Sequence, residues 1–60
     1  MASCTERNGD TWEIYYGSDG WRWRRTASNG EIVGASTQGY SNRSDCIENA
    51  RRHGMTCTPV

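Results

Sequence analysis

Apolar and polar residues alternate from Thr11 to Tyr16 (TWEIYY) and again from Trp21 to Ala27 (WRWRRTA), and a third short apolar stretch runs from Glu31 to Thr37. Alternation of this kind sends successive side chains to opposite faces of a strand. Gly17-Ser18-Asp19-Gly20 separates the first two stretches and Asn29-Gly30 the second and third; both are turn formers. The pattern predicts a three-stranded antiparallel meander between Trp12 and Tyr40. Asn-Gly is a strong hairpin signal because a type I′ turn needs positive φ at both central residues. With Asn29 and Gly30 central, Thr26 is expected opposite Val33, Arg25 opposite Gly34 and Arg24 opposite Ala35. Pairing Tyr16 with Trp21 sets Ile14 against Trp23 and Trp12 against Arg25. One face then collects Trp12, Ile14, Tyr16, Trp21, Trp23 and Ile32, the expected core. The other collects Glu13, Tyr15, Arg22, Arg24 and Thr26, with Val33 and Ala35. On it Glu13 faces Arg24 as an ion pair, and Tyr15 faces Arg22 as a cation–π pair.

After Tyr40 the period changes. Ser41 or Asn42 suits a helix N-cap, Asp45 falls in the first turn, and Arg51, Arg52 and His53 fall in the last, each sign matching the helix dipole. The spacing predicts a helix from Asn42 to His53, with Arg43, Cys46, Ile47 and Ala50 on one stripe and Gly54 as the residue that ends it. Met55 to Val60 reads as a short final strand that Pro59 confines to an edge. Residues 1–10 are polar and aperiodic and read as a flexible tail ahead of a single domain spanning 11–60. The expected order is β-β-β-α-β, an α+β domain with an antiparallel sheet and one helix packed on one face.

Composition sharpens this picture. Only 33% of the 60 residues are hydrophobic, and neither Leu nor Phe occurs. A core of this size rarely supplies more than about 3–5 kcal/mol, so a staple or a partner chain is expected, and a second copy of the chain is the simplest one. Seven basic residues, all Arg, balance seven acidic ones, which removes any overall drive toward nucleic acid or anionic membrane. No apolar stretch approaches membrane-spanning length. Three cysteines, Cys4, Cys46 and Cys57, form an odd set without close spacings. With no signal peptide evident, they read as reduced thiols of a cytoplasmic protein, with Cys46 a small buried apolar residue and Cys57 able to approach it.

Four segments resemble one family. Trp12 to Tyr15 (WEIY), Arg22 to Arg24 (RWR), Asn29 to Val33 (NGEIV) and Gly39 to Arg43 (GYSNR) are similar, in order and spacing, to the YegP-like proteins, a bacterial and archaeal family of unknown function. The resemblance covers roughly Trp12 to Gly54. It implies a unit that works in pairs, either tandem repeats or two identical chains, forming one continuous sheet and exchanging their last strands. For a chain with one unit it implies a homodimer in which Met55, Thr56, Cys57 and Thr58 complete the partner's sheet. It carries over no catalytic residue. The chain departs from the family in placing Arg25 where a large apolar residue is usual, on the core face. A guanidinium stacked on Trp12, with its stem over Gly34 and its head in water, would make that position tolerable.

The remaining candidate chemistry is sparse. Trp and Arg from Trp21 to Arg25 resemble a base-stacking and phosphate-binding run, but strand alternation sends the indoles and the outer arginines to opposite faces. Arg51, Arg52 and His53 are explained by the helix dipole. Cys4, Cys46, Cys57 and His53 lack the knuckle spacing of a zinc site, and no cofactor is expected. The one His and the scattered Glu13, Glu31 and Glu48 form no recognisable acid–base set. The sequence therefore points to a small cytoplasmic, non-enzymatic interaction or accessory protein acting as a homodimer, with Glu13, Tyr15, Arg22, Arg24 and Thr26 as its candidate interaction face. Weak single-stranded nucleic-acid binding through that face is the alternative.

Overall fold

The computed structural model describes residues 2–60. Four strands and one helix follow in chain order: β1 Ala2–Thr5, β2 Thr11–Gly17, β3 Gly20–Thr26, β4 Ile32–Ala35 and α1 Arg43–Arg52. The strands form a single antiparallel sheet in the order β1-β2-β3-β4. The fold is α+β, as the periodicities predict, but its fourth strand precedes the meander instead of following the helix.

β1 corrects the reading of residues 1–10 as a flexible tail. Ala2 pairs with Ile14 and Cys4 with Trp12, which turns both small side chains to the core face, while Ser3 and Thr5 face outward opposite Glu13 and Thr11. Residues Glu6–Asp10 close the hairpin through Glu6 N–H to Asp10 O at 2.7 Å and Gly9 N–H to Glu6 O at 3.0 Å. Met1, which the tail reading includes, lies outside the described residues.

The β2–β3 register matches expectation at every pair from Tyr16–Trp21 to Trp12–Arg25. Trp12 and Ile14 are fully buried and Trp23 nearly so, the two indoles packing tilted with centroids 5.3 Å apart. Tyr16 instead is 70% exposed, its ring edge-on to a partly buried Trp21. Among the described residues the β1 ladder pairs Ala2 with Ile14, and Tyr16 lies two residues beyond that pair.

The second turn also departs from expectation. Gly30 N–H bonds Ala27 O at 2.9 Å and Ala27 N–H bonds Glu31 O at 2.7 Å, giving a three-residue loop in which Gly30 takes φ 92°. Asn29 keeps negative φ, as do all described non-glycine residues, so the type I′ geometry does not form; a loop of this kind ends in a bulge. The extra loop residue shifts the register between Arg25 and Thr26, so that Thr26 meets Ile32 and not Val33, while Arg25–Gly34 and Arg24–Ala35 hold. Ile32 consequently leaves the core face and is 61% exposed, with Val33 54% exposed beside it.

Beyond β4, Ser36 prolongs the ladder. Its N–H bonds Trp23 O at 3.0 Å and its hydroxyl accepts Trp23 N–H at 3.3 Å. The chain then returns to β3, where Trp21 and Tyr40 exchange backbone hydrogen bonds of 2.7 and 2.9 Å. This approach is open only because Gly20 lacks a side chain: a Cβ there would lie 2.6 Å from Tyr40 O.

α1 starts after Asn42, whose side chain makes no capping bond and donates to Asp45 at 3.3 Å. It ends in a Schellman arrangement, Met55 N–H to Ala50 O and Gly54 N–H to Arg51 O, both at 3.1 Å. Cys46 and Ala50 are buried on the sheet, with Ile47 partly so, while Arg43 is exposed. The indole N–H of Trp23 donates to Asn49 Oδ1 at 2.8 Å, which satisfies the polar edge of the largest ring under the helix.

Residues 55–60 form no regular strand, contrary to the expected final strand. Met55 and Pro59 are buried and Cys57 packs on the core cluster, so the segment closes the flank of the core beside β1. Ser3 and Val60 make a strand-like pairing through hydrogen bonds of 3.1 and 3.2 Å. Pro59 has no N–H to extend that pairing.

Candidate functional site

The five residues of the expected interaction face do come together. Glu13, Tyr15, Arg22, Arg24 and Thr26 lie on neighbouring positions of β2 and β3, on the sheet face opposite α1, and all are half-buried. Glu13 and Arg24 pair as expected, with Arg24 Nη2 3.0 Å and Nε 3.1 Å from Glu13 Oε1. The cation over Tyr15 is a different one: Arg24 stacks on its ring at 5.3 Å. Arg22 is drawn instead to the β2–β3 turn, where Nε and Nη2 reach the two oxygens of Asp19 at 2.8 and 2.6 Å and Nη1 reaches Ser36 O at 3.3 Å. The Arg22 hydrogen bonds hold the Asp19 carboxyl below its ordinary pKa, and Asp19 raises that of Arg22 in turn. Both outer-face cations are thus already spoken for by carboxylates.

Arg25, on the core face, stacks on Trp12 at 5.0 Å as its position predicts. Its head is not simply in water: Nη2 lies 2.7 Å and Nε 2.8 Å from Asp10 Oδ2. Asp10 belongs to the β1–β2 loop, so this bond ties that loop to β3. Beside it lies an open hollow of about 330 Å³ lined by Glu6, Arg7, Asn8, Arg25, Gly54 and Thr56. A second, of about 240 Å³, lies over α1 between Tyr40, Asp45, Glu48, Asn49 and Arg52. Neither gathers a nucleophile with a positioned base. His53, the one histidine, packs its ring 5.2 Å from that of Trp23.

The 55–60 segment is the second candidate site, and its attachments converge on residues 3–6. Cys57 is bonded to Cys4 as a disulfide with Cα atoms 5.9 Å apart. The Glu6 carboxylate accepts the Thr56 N–H at 2.7 Å, the Thr56 hydroxyl, and the Cys57 N–H at 3.4 Å. These bonds, the Thr56 N–H first among them, hold the Glu6 pKa below its ordinary value of 4.5. The buried Trp12 indole N–H adds to that pull without completing a hydrogen bond of its own. With the Ser3–Val60 pair, this makes a clasp of backbone, carboxylate and covalent contacts.

The disulfide overturns the reading of the cysteines as reduced thiols. Cys57 approaches Cys4, which β1 carries to the same flank, and not Cys46. Cys46 is wholly buried beneath α1, and burial pushes its thiol pKa up. Among the described residues no group of three His, Cys, Asp or Glu side chains is arranged to hold a metal. Glu6, Asp10, Asn49 and the cysteine pair escaped the sequence reading. The one signal for β1 was the alternation of Ala2 and Cys4 with Ser3 and Thr5, too short and too polar to stand out.

Residues 18–55 match the model of a family described as a domain of unknown function, DUF1508. No curated protein and no solved structure matches the chain. The matched span runs from the β2–β3 turn to Met55 and so leaves out β1, β2 and the clasp.

Proposed function

The chain belongs to the DUF1508 family of domains of unknown function, also known as YegP-like, and from that we propose that it acts as a homodimeric, non-enzymatic interaction or accessory protein that exchanges its last residues between two copies. The observation that carries this reading is the clasp. Among the described residues, every hydrogen bond and the one cross-link of Thr56 to Val60 go to Ser3, Cys4 and Glu6, and a second copy offers the same set. Exchange of an identical element between protomers costs little when the contacts are preserved. Met55 stays with its own core through the Ala50 hydrogen bond, so Thr56, Cys57 and Thr58 are the part that crosses. The exposed Ile32 and Val33 on the free edge of β4 add apolar surface suited to a partner.

What supports the non-enzymatic reading is the lining of the two hollows, which among the described residues sets no nucleophile beside a positioned base. Among the described residues no helix is long and apolar enough to cross a membrane. We place the protein in the cytoplasm, where a disulfide of this kind is a reversible one. The outer face does not favour the nucleic-acid alternative, because Arg22 and Arg24 are engaged by Asp19 and Glu13. Truncation after Met55 tests the exchange: the reduced full-length chain is expected to be dimeric by size-exclusion chromatography and the truncated chain monomeric. A truncated chain that stays dimeric contradicts the exchange. Retention of the protein on single-stranded DNA at low salt, lost as salt rises, would favour the alternative.

A further inference from the structure

We propose that the Cys4–Cys57 disulfide is a redox lock that decides which copy of the chain holds the 56–60 segment; this rests on the exchange reading above. Three observations converge on it. The bond joins the segment to β1, which together with Glu6 just after it supplies the segment's other ties. Both bonded cysteines are only half-buried, whereas the third, Cys46, is wholly buried, so thiol–disulfide chemistry is directed to this pair. And the bond is the one tie that cannot open and close thermally: the hydrogen bonds at Glu6 and Val60 are exchanged by ordinary fluctuation, but a covalent link formed within one chain forbids the segment to leave.

The chemistry balances as a dithiol exchange. A thiolate of an external dithiol attacks one sulfur of Cys4–Cys57, forming a mixed disulfide and releasing the other cysteine as a thiolate that takes up a proton. The second thiol of the reductant then displaces the remaining cysteine and closes its own disulfide. The lock gains two electrons and two protons, and the dithiol loses them. In the reverse direction a small disulfide such as oxidised glutathione accepts the two electrons and leaves as two thiols. With the lock reduced, the segment can pass to the second copy; reoxidation then joins Cys4 of one chain to Cys57 of the other and fixes the dimer covalently.

The test uses the full chain in equal amounts unlabelled and labelled with ¹⁵N. The two are folded oxidised and separately, then mixed; in parallel they are mixed while reduced by dithiothreitol and then reoxidised with oxidised glutathione. Tryptic cleavage after Arg7 and Arg52 releases the disulfide as a linked peptide pair, whose mass shows whether both halves carry the same label. The expected result is no mixed-label pairs from the first mixture, and from the second a mixed-label share approaching one half, with a covalent dimer on a non-reducing gel. The Cys57→Ser chain is expected to dimerise whatever the redox state, since it has no lock. If chains carrying the intrachain bond form dimers as readily as reduced ones, the lock is overturned while the dimer stands. If reduced chains and Cys57→Ser chains are both monomeric, the exchange itself is overturned and the lock with it.

Discussion

Cys4 and Cys57, 53 positions apart, are bonded with their Cα atoms 5.9 Å apart, and this one link fastens both ends of the described chain to each other. It supplies the staple that a domain with so few apolar residues needs. By loop-closure entropy a bridge of this span contributes about 4 kcal/mol. Breaking it by reduction or by Cys4→Ser is expected to cost about 2–4 kcal/mol, read as a fall in the denaturation midpoint. Cys46→Ala, which leaves the bridge intact, should cost less. A chain whose midpoint is unmoved by reductant would show that the bridge carries no stability.

Arg25 stands at a position where an apolar side chain would be expected, yet its stacking on Trp12 and its bond to Asp10 make it part of the packing. Arg25→Leu removes both and leaves a largely buried carboxylate without its partner. Destabilisation of about 1–3 kcal/mol is expected in thermal or urea denaturation. A more stable Leu variant would mean that the arginine is a strained substitute.

Much of this was legible beforehand. The β2–β3 register follows from alternation and a two-residue turn, and it places Arg25 over Trp12 and Glu13 beside Arg24 without further information. The helix was legible from its charges and from Gly54. What was not legible depends on contacts distant in sequence. β1 is four residues long and gains its place from Trp12, Cys57 and Val60. The identity of the bonded cysteines follows only once β1 and the last residues share a flank. A two-residue turn at Asn29-Gly30 would keep Ile32 on the core face; one more loop residue turns its side chain to the other face.

Glu6 makes the clasp sensitive to acid. Its pKa is lowered in the folded chain by the Thr56 and Cys57 hydrogen bonds, so the stabilisation it provides is fully present above the ordinary value of 4.5 and is lost as pH falls through the lower folded value. Wild type should exceed Glu6→Gln in melting temperature at neutral pH, and the gap should close below pH 4.5. A gap that persists unchanged into strong acid would remove the carboxylate from the account.

The glycines of the two turns should respond differently to alanine. At Gly30 a Cβ meets nothing within 4 Å, so Gly30→Ala costs only the positive φ of 92°, about 1 kcal/mol. At Gly20 the φ of 123° is joined by a 2.6 Å approach to Tyr40 O, and Gly20→Ala should be the more damaging of the two. Equal losses by calorimetry would contradict the close return of residues 39–40 to β3.

The central claim is that two copies of this chain work together. Multi-angle light scattering of the reduced full-length chain at micromolar concentration tests it most directly. The account predicts a folded species of twice the 6.8 kDa chain mass; a folded monomer of 6.8 kDa under those conditions would contradict it.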